Sequence, residues 1–174
     1  MVVNNQKIRE LKDNLSKKDT AILLQTLKEV KMEGNYSLIP YLVYVLKNTS
    51  NPDIENEIIG ILNNINLQSS VPYLVDSIKD TEDKKILNIL ISSCWKNGLD
   101  FSDYLEVFVD QFLHYDFDIS LEAFTVIENA TTKSGVKEND RMIVYLNNNY
   151  DNVSKEKKLL IRELVQIFER RNHI

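Results

Sequence analysis

Few side chains in this sequence are of the kinds that do covalent or metal chemistry, and their spacing limits each of them. Cys94 is the only cysteine, so neither a disulfide nor a cysteine-based zinc site can form within the chain. It falls among apolar positions and is expected to be an inert core filler, with no histidine near it in sequence to activate a thiolate. The two histidines, His114 and His173, need carboxylate help to hold a metal. One arrangement has ligand-like spacing: Glu106, Asp110 and His114 recur every fourth residue and share one helix face. Such a ladder can touch a divalent cation, but a straight exposed ladder does not enclose one, and no second ligand cluster accompanies it. The expectation is no metal, no cofactor and no catalytic residue, hence not an enzyme.

The composition fits that expectation. The chain has 174 residues, 43% of them apolar and 27% charged, with a formal net charge of −5. This is enough to bury a core without staples and too apolar for a disordered chain. Four glycines and three prolines argue against β-sandwiches and glycine-rich phosphate loops. Residues 1–7 are largely polar, without the apolar stretch of a secretory signal, so a cytoplasmic location is expected. The longest apolar run, Leu38 to Leu46, is far shorter than the roughly 20 residues a membrane span requires.

The elements that must position these residues are written as a repeat. Leu38-Ile39-Pro40-Tyr41-Leu42-Val43 is echoed by Ser70-Val71-Pro72-Tyr73-Leu74-Val75, 32 residues on, and Gly34, Asn66 and Gly98 keep the same interval. Those three are expected to end helices in the left-handed conformation. A first-helix pattern recurs as Ile39, Leu42, Val43, Leu46; Val71, Leu74, Val75, Ile78; and Leu105, Phe108, Val109, Phe112. Partial copies are Ile8, Leu11, Leu15 and Met142, Ile143, Leu146. A second-helix pattern recurs as Ile54, Ile58, Ile59, Leu62; Ile86, Leu90, Ile91, Cys94; Ile119, Ala123, Phe124, Ile127; and Leu160, Leu164, Val165, Phe168. Ile22, Thr26, Leu27 and Val30 give a looser version. Both patterns keep apolar side chains on one face of a 3.6-residue helix.

The spacing therefore predicts helices over 5–15 and 18–33, 36–48 and 52–65, 70–80 and 83–97, 102–114 and 117–131, and 138–149 and 155–171. Pro40, Pro72 and Pro52 fall in first turns, and Asn51 or Asp53, Ser70, Ser102 and Ser154 are candidate caps. A lone hairpin leaves one face bare, so neighbours must stack on it. The expected fold is all-α: an α-solenoid, or superhelix, of about five antiparallel helical hairpins forming one domain over 1–174.

The run Ile-Pro-Tyr-Leu-Val-x-x-Leu-Lys-Asn, a turn, then Pro-Asp-Ile-x-x-x-Ile-Ile-x-x-Leu, over residues 39–62, resembles the HEAT-repeat family. The resemblance covers nearly the whole chain, best from 38 to 131. HEAT units carry an Asp ending the first helix and an Arg early in the second. Here the Asp position reads Asn48, Asp80, His114 and Asn148, and the Arg position reads Glu55, Leu87 and Ser120. Stacking is thus expected to lean on apolar packing. The tetratricopeptide signature is missing, and there is no room for the third helix of an armadillo unit.

The resemblance implies binding through the concave surface built by the second helices. The positions opposite the core there include Asn63, Asn88, Ser92, Trp95, Thr125 and Glu128. Amides and hydroxyls can pair with a partner's polar groups, and Trp95 is either an anchor or packing between units. The fourth hairpin is acidic. Residues 99–132 hold Asp100, Asp103, Glu106, Asp110, Asp116, Asp118, Glu122 and Glu128 and no Lys or Arg. Asp103, Glu106 and Asp110 share the exposed stripe of one helix, which a basic protein partner would relieve; the alternative is an ordinary solvated acidic face. The basic runs at 7–18 and 155–162 read as polar capping of terminal helices rather than a phosphate track.

These features point to a non-enzymatic protein-binding module or scaffold with no membrane contact, its oligomeric state open. Two alternatives remain: a nucleic-acid-binding protein similar to the HEAT-like DNA-repair glycosylases, for which the net charge is wrong, and an inhibitor or immunity-type protein for a basic partner. HEAT-like hydroxylases use paired His-Glu motifs that this chain lacks.

Overall fold

The computed structural model describes residues 5–172. His173 lies outside them. Among the described residues the regular structure is entirely helical, and no helix is long and apolar enough to cross a membrane. The chain divides into two compact units, Met1–Asn97 and Gly98–Ile174.

The first unit contains α1 (Asn5–Leu15), α2 (Thr20–Glu33), α3 (Ile39–Asn48), α4 (Pro52–Asn63), α5 (Val71–Lys79) and α6 (Lys84–Lys96). Consecutive helices pair as α1 with α2, α3 with α4 and α5 with α6. The odd members pack in series, α1 on α3 on α5, and the even members do likewise. Both first-helix sets are buried throughout: Ile39, Leu42, Val43 and Leu46 in α3, and Val71, Leu74, Val75 and Ile78 in α5. In the second helices Ile54, Ile58 and Leu62 are buried, as are Ile86, Leu90, Ile91 and Cys94. In α2 the buried stripe begins at Leu23, because Ile22 is turned outward and is 37% exposed.

Helix ends follow local chemistry. Asp19, Asn51 and Asp83 each accept a hydrogen bond from a backbone N–H of the helix they precede, those of Ile22 (3.0 Å), Asp53 (2.9 Å) and Ile86 (3.1 Å). Short 3-10 turns at Tyr36–Leu38 and Gln68–Ser70 lead into Ile39 and Val71, with Pro40 and Pro72 in the first turn. Ser70 makes no side-chain cap there. Gly34 and Gly98 take positive φ, 60° and 68°, as expected. Asn66 does not: no non-glycine among the described residues has positive φ. The reason lies at Asn64, whose backbone N–H reaches the Ile61 carbonyl (3.1 Å) and whose amide reaches the Gly60 carbonyl (2.7 Å). The end of α4 is thus satisfied without the left-handed residue that Cβ disfavours. Asn48 and Asn149 fold back the same way, onto the Tyr44 (2.8 Å) and Tyr145 (3.0 Å) carbonyls. Part of the asparagine richness therefore serves helix C-termini.

The second unit contains α7 (Leu105–His114), α8 (Phe117–Ala130), α9 (Val136–Asn149) and α10 (Lys155–Asn172). Here α7 pairs with α8 and α9 with α10, while α7 also packs on α9 and α8 on α10. Leu105, Phe108, Val109 and Phe112 are all fully buried, and Phe101 meets Phe108 edge to face at 5.4 Å. The stripe of α10 differs from the expected one. Lys157, Ile161, Leu164, Ile167 and Phe168 are buried, while Leu160 and Val165 are only half-buried. The buried face has nearly the expected direction, since Leu164 and Phe168 belong to both sets, but it also takes in Ile161, Ile167 and Lys157, whose ammonium reaches the end of α7.

Candidate interaction surface

In the first unit the sequence-derived candidates lie on α4 and α6, which pack together. Asn63 and Asn88 are half-buried, and the Asn63 carbonyl oxygen is buried without a hydrogen-bond partner. Ser92 is only 7% exposed, and its hydroxyl is used within its own helix, donating to the Ile89 carbonyl at 3.1 Å. Trp95 is 36% exposed, with the Lys96 ammonium 5.1 Å from its ring centroid. The surface at this end of α6 is therefore an aromatic ring beside a cation. Cys94, next to it, points the other way: it is 1% exposed, its thiol donates to the Leu90 carbonyl, and burial pushes the thiol far above its usual range. A thiol so held is protonated at neutral pH and is not a nucleophile.

In the second unit Thr125 lies on α8 with its hydroxyl donating to the Leu121 carbonyl (3.1 Å), and Glu128 is exposed one turn on. The acidic positions of α7 are brought together, but against α9 rather than in open solvent. Glu106 pairs with Arg141 at 2.7 Å, and Arg141 also holds Glu138 at 2.9 Å. The Asp110 carboxylate accepts the Tyr145 hydroxyl and lies 3.5 Å from His114 Nδ1. That hydrogen bond, with burial second, pushes the Tyr145 phenol up to about 12. Asp100 pairs with Lys133 at 3.4 Å, and the Ser102 backbone N–H holds its carboxyl below the usual range. Asp103 lies not on α7 but in the 3-10 turn Ser102–Tyr104 before it, and Asp118 and Glu128 lie near the two ends of α8; all three are exposed and have no ion-pair partner among the described residues.

Arg141 and Tyr145 escaped the sequence reading, although a signal was present. Each lies 35 residues beyond its acidic partner, close to one repeat length, and the two are one turn apart like Glu106 and Asp110. Comparing polar positions one repeat apart would have found both.

Lys157 was missed for a different reason. Grouped with Lys155, Lys158 and Arg162 as a basic terminal run, it is in fact 6% exposed. Its ammonium donates to the carbonyls of Phe112 (2.9 Å), Leu113 (3.1 Å) and Tyr115. Ser120 donates to the same Phe112 carbonyl at 2.8 Å. A cation at the end of α7 satisfies orphan carbonyls and opposes the negative end of the helix dipole. The arrangement fixes the helix that carries the acidic residues; it offers no reactive group to solvent. Burial lowers the Lys157 pKa, while the charge of Asp116 acts the other way.

The described surface presents an aromatic ring beside a cation at the end of α6 and exposed acidic side chains in the hairpin of α7 and α8. Neither the protein-family models nor the curated proteins give a match to this chain.

Proposed function

We propose that this chain is a non-enzymatic protein-binding module, a HEAT-like α-solenoid that takes a basic protein partner on the acidic flank of its fourth hairpin. The stacking of α1, α3 and α5 in one row and α2, α4 and α6 in another supports the solenoid reading, as does the 32-residue echo between α3 and α5. The observation that carries the functional reading is a set of exposed carboxylates, Asp103, Asp118 and Glu128, that have no ion-pair partner among the described residues in a stretch without a single Lys or Arg. Unpaired like charges repel one another and are relieved, and steered to, by a cationic surface. Trp95, on α6 of the first unit, is proposed separately as an aromatic anchor.

Affinity capture from native extract with the wild type and with a Trp95→Ala, Asp103→Lys double variant tests this. The expected result is a partner of high isoelectric point, retained by the wild type, released by moderate salt and lost by the variant. The same partners on both proteins would remove these residues from the site. A partner that elutes with nuclease instead of salt would favour nucleic-acid binding.

A further inference from the structure

A second, independent surface lies on the opposite row of helices in the first unit. Between α3 and α5 runs an open groove of about 460 Å³ with Val43 in its floor and Pro40, Tyr44 and Tyr73 along its walls. Tyr44 is 51% exposed, an unusually bare aromatic for a helix whose other face is fully packed. The Tyr73 ring packs against Tyr36, centroids 5.1 Å apart and planes tilted by 43°. A shallow cleft between two tyrosine rings beside a proline suits apolar, extended chain better than a second helix, which needs a longer apolar seam.

One end of the groove is charged in a way that its own helix disfavours. Asp76 and Asp80 line it at i and i+4, and both are exposed. Asp80 is the C-cap of α5, where a carboxylate meets the negative end of the helix dipole, and like charges one turn apart repel. Neither carboxylate has an ion-pair partner among the described residues. The one cation lining the groove, Lys47, directs its ammonium to the Asp80 backbone carbonyl at 3.5 Å rather than to a carboxylate. A cationic group placed between Asp76 and Asp80 would relieve both unfavourable terms at once, while its neighbours fill the Tyr44–Tyr73 cleft.

We propose that the α3–α5 groove docks an extended peptide segment in which a lysine or arginine sits beside proline or aliphatic residues. The cation pairs with Asp76 and Asp80, and the apolar residues pack on Pro40, Tyr44 and Tyr73. This surface shares no residue with the α6 and α7 patches, so its failure leaves the proposed function standing.

The test is selection of a random linear peptide library, displayed on phage, against the full chain, followed by amide chemical-shift mapping with the winning synthetic peptide. The expected peptides carry Lys or Arg next to Pro, Leu or Val, and shift amides within 40–47 and 73–81. Asp76→Lys is expected to weaken binding about tenfold or more, and Tyr44→Ala by a similar factor, with unchanged circular dichroism and thermal midpoint because both side chains face solvent. The Trp95→Ala, Asp103→Lys variant is expected to bind the peptide like the wild type. Enrichment of acidic peptides, shifts mapping elsewhere, equal binding by Asp76→Lys, or no enrichment over that variant would each overturn the proposal.

Discussion

Replacing Lys157 with methionine tests how the acid-bearing helix is held. The substitution keeps the length and apolar stem but removes the ammonium that donates to the Phe112, Leu113 and Tyr115 carbonyls. The Ser120 hydroxyl lies 2.8 Å from the Phe112 carbonyl but equally close to that of Asp116, and its single proton serves one at a time, so Phe112 is only partly compensated and Leu113 and Tyr115 bear most of the loss. Each buried carbonyl left without its donor costs about 1–3 kcal/mol. Removing a buried ammonium returns part of that, since its desolvation is itself unfavourable. The net expectation is a loss of about 2–3 kcal/mol, which for a chain of this size lowers the thermal midpoint by roughly 5–10 °C. Urea unfolding followed by circular dichroism measures it. Pairing the variant with Ser120→Ala should cost more than the sum of the two, because both donors serve Phe112. The pH dependence carries a second signature. Burial holds the folded Lys157 pKa below its usual 10.5, so between that lowered value and 10.5 the unfolded chain binds more protons than the folded one. Stability attributable to this group therefore rises with pH across that window, and is lost again as pH falls through the folded value. The methionine variant should lack this slope. A variant as stable as the wild type at neutral pH would refute the reasoning, since the carbonyls would then be content without the cation.

Tyr145→Phe removes the donor to Asp110 and is expected to cost about 1 kcal/mol in urea unfolding. In the wild type the phenol titrates at about 12 instead of 10.0, so the folded state keeps its proton longer; the stabilisation is full below 10, falls as pH rises toward 12, and is absent in the variant, which ultraviolet phenolate titration and alkaline unfolding check together. Gly34→Ala meets no atom within 4 Å but forces a side chain onto φ +60°. It should destabilise by about 1 kcal/mol through backbone strain alone, whereas Gly60→Ala, equally uncrowded and inside a helix, should be neutral or stabilising; equal effects at both positions would contradict the left-handed cap.

The comparison of α5 with α10 shows what a one-dimensional pattern can carry. In α5 the apolar spacing identifies the buried face, because Val71, Leu74, Val75 and Ile78 fill it and the one buried polar side chain, Ser77, turns its hydroxyl back to the Tyr73 carbonyl of the same helix. In α10 the buried face also answers a polar demand from a residue 45 positions away, the Phe112 carbonyl, and so includes a lysine. Periodicity weighs side chains by hydrophobicity and so reads lysine as outward-facing; an ammonium that satisfies three carbonyls is an inward-facing group that no local window reveals. Asn66 is the same lesson at the backbone. The repeat interval predicts a left-handed residue, but a side-chain amide two positions earlier removes the need for it. The acidic candidates were legible as a cluster because composition shows them directly. Their α9 partners were not, because pairing is a property of register between helices.

The manner in which α7 is held bears on its use as a recognition surface. The Glu106–Arg141 pair joins side chains 60% and 57% exposed, and such a pair contributes at most about 1 kcal/mol. The orientation of α7 instead comes from Leu105, Phe108, Val109 and Phe112, all buried, and from Lys157 at its end. The surface charges are thus nearly decoupled from folding. The basic partner proposed above would displace Arg141 from Glu106 at little cost and without disturbing the core. Charge reversal at Asp103 should accordingly change what binds while leaving the unfolding curve where it was, which separates a recognition role for the acidic hairpin from a merely solvated one.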